Sequence, residues 1–177
     1  MGKKVALSII SILFVCTGCV PSTVWRSTPI VQNAENEYYE AQLEPLTRGH
    51  KFFVSFRLSV TNRTHKNLEI DWNMTRYIHN GRTRGGFVFK GIKPEDIGGS
   101  TIPPDAILAG VTFSKVISPF KMLARPPLRD PHVESTESTI YPGILPTGEN
   151  GILLVIRQNG KEVVERITLT IVSQQAR

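Results

Sequence analysis

The stretch FFVSFRLSVTNRTHKNLEIDW, residues 52–72, decides the fold. In its first half apolar and polar residues alternate, except that the apolar Phe53 stands where the pattern requires a polar residue. After a polar turn, Leu68, Ile70 and Trp72 continue the alternation with polar residues. A period of two is typical of a β-strand that buries one face and exposes the other. The stretch therefore predicts two half-buried strands, with Trp72 in the core.

Two Asn-Gly pairs predict further hairpins. Asn80-Gly81 lies between TRYIH and GGFVF, and Asn159-Gly160 joins ILLVIRQ to KEVVERITLTIV. Asn-Gly favours the two-residue turn whose twist matches antiparallel strands. Other strands are predicted near 38–43, 107–109 and 111–117. About seven short strands, with no amphipathic helix, indicate an all-β fold: a single antiparallel β-sandwich domain over residues 37–173.

The amino-terminal residues have the pattern of an export signal. Lys3 and Lys4 precede the apolar run VALSIISILFV, which is too short to span a bilayer and fits a secretory signal. The next four residues, Cys16-Thr17-Gly18-Cys19, resemble the lipobox of bacterial lipoproteins, although that family usually has Leu where this chain has Cys16. The resemblance implies a signal peptide over residues 1–18 and lipidation of Cys19. An ordinary signal peptide and a membrane anchor are the alternatives.

The lipobox resemblance also implies a location. Val20, rather than Asp, follows the cysteine. In a two-membrane envelope this implies the outer membrane, and we expect the protein on its periplasmic face. With Cys16 removed and Cys19 acylated, the mature chain would keep no thiol for a disulfide.

A flexible tether is predicted between the lipid and the domain, over residues 19–36. This segment (CVPSTVWRSTPIVQNAEN) is polar and small, contains two prolines and has no clear periodicity. Trp25-Arg26 within it would either rest at the lipid interface or be exposed to solvent.

A second resemblance concerns the domain. The segments FRLSVTNRTHKNLEIDW, IPPDAILAGVTFSKVI and ILLVIRQNGKEVVERITLTI are similar to the immunoglobulin-like domains of small bacterial envelope lipoproteins. The same layout occurs in the water-stress and late-embryogenesis-abundant sandwiches. The likeness implies an immunoglobulin-like fold without the immunoglobulin cysteine pair, and it implies no activity.

Catalytic patterns are absent from the sequence. The four histidines are isolated, and no G-x-S-x-G, S-x-x-K or metal-ligand spacing occurs. We therefore expect no catalytic residues, no metal and no cofactor. Glu69, Asp71 and Asn73 on one strand suggest either a cation site or an ordinary solvent-exposed face. A hydrolase would have to use scattered carboxylates such as Glu95 and Asp96.

A basic stretch is the one feature that suggests a binding surface. Residues 72–129 hold nine basic and three acidic residues. The predicted surface for an anionic partner consists of Arg76, Arg82, Arg84, Lys90 and Lys93. Anionic lipid headgroups or an acidic envelope protein fit such a surface, and the export signal argues against nucleic acid. The alternative is a merely soluble surface with dispersed charges. The long connections 91–104 and 119–146 are further places for a partner.

These observations favour a non-enzymatic, membrane-anchored envelope lipoprotein. It would bind or brace another envelope component through its sandwich loops or its basic side. One alternative is an accessory lipoprotein of a secretion or surface-assembly machine. The other is a hydrolase that acts on an envelope polymer.

Overall fold

The computed structural model describes residues 23–49, 51–90, 92, 101–123 and 141–175, which form two packed antiparallel sheets. The expectation of an all-β antiparallel sandwich is confirmed. The described residues form twelve strands instead of about seven, and several of these strands have only two to four residues. The described residues contain no α-helix and one short 3-10 turn, Phe120–Met122.

The strands of the first sheet are β1 (Thr23–Thr28), β5 (Leu68–Ile70), β6 (Arg76–His79), β7 (Arg82–Thr83), β9 (Asp105–Ile107), β11 (Gly148–Gln158) and β12 (Lys161–Gln175). They have the order β1-β12-β11-β5-β9, with β6 paired to β11 and β7 to β6. The strands of the second sheet are β2 (Gln32–Glu35), β3 (Tyr39–Arg48), β4 (Phe52–Asn62), β8 (Phe87–Val88) and β10 (Thr112–Pro119). They have the order β2-β3-β4-β10-β8.

The core lies between the sheets and follows the predicted alternation. Phe56, Leu58 and Val60 on β4 are fully buried, and their neighbours Arg57 and Ser59 face outward. Burial of one face on each sheet supplies the main driving force for folding. The alternation fails at the start of β4, where 53–55 are all buried beside a register shift between β3 and β4.

Both Asn-Gly turns form as predicted. Asn80 and Gly81 have φ angles of 46° and 75°, and Asn159 and Gly160 have 50° and 79°. Two successive positive φ angles are the mark of the type I′ turn, which Asn and Gly adopt at least cost. The β6–β7 and β11–β12 hairpins are therefore set by local sequence.

The sandwich has two ends that differ in content. We call the end where β1 begins the proximal end and the end with the Asn159-Gly160 turn the distal end. Thr23 pairs with Gln175, beyond the last β11 pair at Gly148. The Asn80 N–H donates to the Glu149 carbonyl at 3.0 Å, which places the β6–β7 tip at the proximal end.

The second sheet is aligned with the first. At the distal end the Lys161 ammonium lies 2.5 Å from the Tyr38 hydroxyl, next to the start of β3. β3 therefore ends proximally, so the β3–β4 turn lies at the proximal end. The Leu145 N–H donates to the Phe53 carbonyl at 2.8 Å and confirms this placement.

The tether prediction for residues 19–36 is wrong over its described part, residues 23–36. β1 pairs with β12 along its whole length, and β2 pairs with β3. Trp25 packs against the core, so neither predicted position for this side chain is correct. The two strands are short and separated by Pro29, and the partner β12 lies far away in the sequence, so periodicity alone gave no signal. The sandwich begins at Thr23, before the predicted boundary at 37.

Candidate functional site

Two predicted basic residues lie together at the proximal end. Arg82 is in β7 and Arg84 follows it, and both are exposed. Residues two apart on extended chain direct their side chains to the same side. The Arg84 N–H donates to the Tyr77 carbonyl at 2.7 Å, and the Tyr77 N–H donates to the Gly85 carbonyl at 2.8 Å. The backbone that carries both guanidinium groups is thus fixed to β6.

A third base, which the sequence analysis did not select, joins them. The Phe120 N–H donates to the Gly86 carbonyl at 3.0 Å, so the 3-10 turn lies against the chain after β7. A Cβ placed on Gly85 would lie 3.7 Å from side-chain carbons of Lys121. Lys121 therefore runs over Gly85, and its exposed side chain belongs to the same positive surface.

Two more bases come from the β3–β4 turn. Arg48 and Lys51 are exposed at the proximal end, and the Lys51 N–H donates to the Arg48 carbonyl at 3.4 Å. Hereafter the proximal basic cluster consists of Arg48, Lys51, Arg82, Arg84 and Lys121. No ion pair between described residues includes any of these five side chains.

One described acid lies near this cluster. The Glu149 carboxylate accepts a 2.6 Å hydrogen bond from Arg166 and a 3.1 Å hydrogen bond from the Gly81 N–H. Its charge is therefore already paired within the first sheet. Residues 124–140, which lie outside the described part of the chain, contain two arginines and three acids in their sequence.

The predicted basic surface is split by the fold. Arg76 is on the outer face of the first sheet, where it pairs with Leu153 and donates to the Thr75 carbonyl at 3.1 Å. Lys90 is exposed beyond β8, farther from the proximal end, and Lys93 lies outside the described residues. Of the four predicted bases that the structure describes, it brings together Arg82 and Arg84.

No protein-family model, curated protein or solved structure matches the chain.

A lysine that counts toward the basic stretch is directed inward instead. Lys115 pairs with the buried Leu58 and forms an ion pair with Asp105. Its ammonium lies 3.9 Å from the centre of the Phe89 ring and 5.5 Å from those of Trp72 and Phe113. The Trp72 indole N–H donates to the same Asp105 carboxylate at 2.7 Å. We call Lys115, Asp105 and these three rings the lysine cage.

The lysine cage is filled by the protein's own ammonium group. A cation over aromatic faces, with a carboxylate beside it, is a favourable arrangement when it is partly shielded from water. Here the Lys115 and Asp105 side chains are 23% and 28% exposed. Trp72 is 2% exposed, so its predicted place in the core is confirmed, with the indole N–H as its polar contact.

The distal end has a polar cleft of about 620 Å³, lined by His65, Lys66, Asn67, Glu69, Arg157, Asn159 and Gly160. The Arg157 guanidinium donates to Glu162 at 2.8 Å and lies 2.7 Å from the Asp71 carboxylate. The hydrogen bond to Glu162, followed by the charge of Asp71, raises the pKa of Arg157. The cleft is lined by side chains of both charges and by no large apolar side chain.

The cation site suggested by Glu69, Asp71 and Asn73 does not form. Glu69 is exposed, whereas Asp71 is buried and accepts hydrogen bonds from the Asn73 and Met74 N–H groups at 2.8 and 3.1 Å. Asp71 thus closes the turn after β5. Within the described ranges no three His, Cys, Asp or Glu side chains are placed to hold a metal ion, and no helix is long and apolar enough to cross a membrane.

Proposed function

We propose that this protein is a non-enzymatic, lipid-anchored envelope lipoprotein that holds or braces another envelope component. One observation carries the proposal: β1 begins at Thr23, directly after the lipobox-like sequence that ends at Cys19. Val20, Pro21 and Ser22 alone separate the two. The proposed lipid would thus be attached to a rigid sheet, which suits a protein that positions its partner.

The distal end supports the binding part of the proposal. It collects the loop after β4, the Asn159-Gly160 turn and the polar cleft, all at the end opposite to Thr23. Mixed charges and exposed hydrogen-bonding groups are typical of the rim of a protein–protein interface. The partner proposed here is therefore another envelope protein.

The anchor is tested by intact mass spectrometry of the protein extracted from membranes. We expect cleavage before Cys19 and the added mass of the lipid, and Cys19→Ser should abolish both. An unmodified amino terminus beyond Cys19 would overturn the anchor.

The holding role is tested by site-specific photocrosslinking in cells. A photoreactive residue at His65, on the rim of the cleft, should capture one protein partner. The matched control is Val116, which is 48% exposed on the outer face of the second sheet and should capture none. A partner that co-purifies as one stoichiometric machine would identify the accessory-lipoprotein role, and equal capture at both positions would contradict a distal binding site.

A further inference from the structure

We infer that the proximal basic cluster docks on the anionic phospholipid headgroups of the membrane that holds Cys19, so that the sandwich stands with its distal end outward. This inference rests on the lipid anchor of the proposed function. It adds a second, electrostatic contact with the same bilayer and an orientation for the domain.

The linker between the lipidated cysteine and the sandwich is short. Four Cα–Cα steps separate Cys19 from Thr23, and an extended chain spans at most about 3.6 Å per residue, so they lie within about 14 Å of each other. The proximal end is therefore held beside the headgroups. The Debye length at physiological salt is about 8 Å, so charges at this end interact with the membrane surface when the short linker lets them approach within that distance.

The proximal end carries a concentration of positive charge. The five exposed bases of the proximal basic cluster come from three separate segments: the β3–β4 turn, β7 with the residue after it, and the 3-10 turn. The one described acid beside them, Glu149, is paired with Arg166 at 2.6 Å. Each Lys or Arg near an anionic surface is worth about 1 kcal/mol, which is roughly a fivefold gain in binding.

The lipid anchor and the proximal basic cluster would strengthen each other's contact with the membrane. A lipid anchor makes the docking of the basic cluster an intramolecular event, with a high effective concentration because the linker is short. A modest electrostatic attraction is then sufficient to hold the domain upright. Bases at the distal end do not have this advantage, because they lie at the end opposite to Thr23. Two of them also have contacts of their own: Arg63 is paired with Glu35, and Lys161 contacts Tyr38.

The experiment measures the depth of single-cysteine probes on the lipidated protein in vesicles. The mature chain keeps no free thiol when Cys19 is acylated, so a cysteine at Thr83 reports the proximal end and one at His65 the distal end. Each is labelled with a fluorophore, and quenching by a spin-labelled headgroup is compared in phosphatidylcholine vesicles with and without about 30% phosphatidylglycerol.

We expect phosphatidylglycerol to increase quenching at Thr83 and not at His65, with reversal in 0.5 M salt. The triple variant Arg82→Glu, Arg84→Glu and Lys121→Glu should lower the ratio of docked to undocked protein at least 100-fold. The matched distal variant Arg63→Glu, Lys66→Glu and Lys161→Glu should change it less than threefold. Circular dichroism checks that both variants are folded.

Four results would overturn the inference. The first is equal quenching at Thr83 with and without phosphatidylglycerol, and the second is an equal loss in the two triple variants. The third is undiminished docking of the proximal variant. The fourth is a proximal variant that loses crosslinks to a protein and keeps its contact with lipid, which would assign the cluster to an acidic protein. If mass spectrometry shows an unmodified Cys19, salt-sensitive co-sedimentation with phosphatidylglycerol vesicles, lost in the proximal variant alone, still supports docking while the anchor fails.

Discussion

Replacement of Trp25 by Ala tests whether the segment after Cys19 is a strand or a tether. Trp25 faces the sandwich interior and packs on the core, while its neighbours Val24 and Arg26 are exposed. If about 100 Å² of its apolar surface leaves water, burial at about 25 cal/mol per Å² stabilises the fold by about 2.5 kcal/mol. Trp25→Ala should therefore lower the free energy of unfolding by about 2–3 kcal/mol.

The assay is urea unfolding followed by circular dichroism, with Val24→Ala as the control. Val24 is 40% exposed on the opposite face of β1, so its truncation should cost less than about 1 kcal/mol. Hydrogen exchange should show protected amides in β1, because they pair with β12. Equal small effects of both variants, together with unprotected amides in β1, would refute the strand and restore a flexible tether.

Further expectations concern the interior. A double-mutant cycle of Lys115→Met and Asp105→Asn, followed by urea unfolding, should give a coupling energy of about 1–3 kcal/mol, and a value near zero would contradict the lysine cage. Tyr77→Phe should lower the free energy of unfolding by about 1–2 kcal/mol, because the Tyr77 hydroxyl donates to the buried Asn150 at 2.5 Å. Tyr39→Phe at pH 7 should leave the free energy of unfolding nearly unchanged, because no described residue forms a hydrogen bond with its buried hydroxyl. Burial raises the pKa of Tyr39 to about 12, so the unfolded chain ionises first and stability falls between about pH 10 and 12. Tyr39→Phe should reduce that fall in a pH series of urea midpoints, and an unchanged fall would contradict the assignment.

Local signals in the sequence were sufficient for the fold. Alternation over residues 52–72, the two Asn-Gly turns and the central position of Trp72 depend on neighbours in the chain, so the sequence carries them directly. β1 and β2 were missed because their strand character comes from partners elsewhere. The six residues of β1, which end directly before Pro29, have little periodicity of their own, and pairing with β12 determines their structure.

The candidate site was predicted only in part, for a related reason. Arg82 and Arg84 were predicted because they belong to the basic stretch 72–129, and they lie together because they are two residues apart in the chain. Arg48 and Lys51 belong to a turn more than 30 residues earlier, and only the alignment of the two sheets brings that turn to the same end. Lys115 was counted only as one base of the stretch 72–129, because the sequence does not show which way it faces. A one-residue change in strand register decides whether a side chain faces in or out, and the pairing of β10 with β4 places Lys115 beside Asp105.

The early start of β1 has a consequence for the search that a partner must make. The predicted 18-residue tether would let the distal loops occupy a volume tens of ångströms deep, with a low local concentration at any one height. In the proposed lipoprotein, a sheet attached close to the lipid and docked on the membrane would instead act as a rigid post. The 11 residues of β11 span about 36 Å, so the distal cleft would then be presented at a nearly constant height above the membrane. The height of the sandwich would thus select partners: only those that reach that level would meet the cleft, and they would meet it repeatedly.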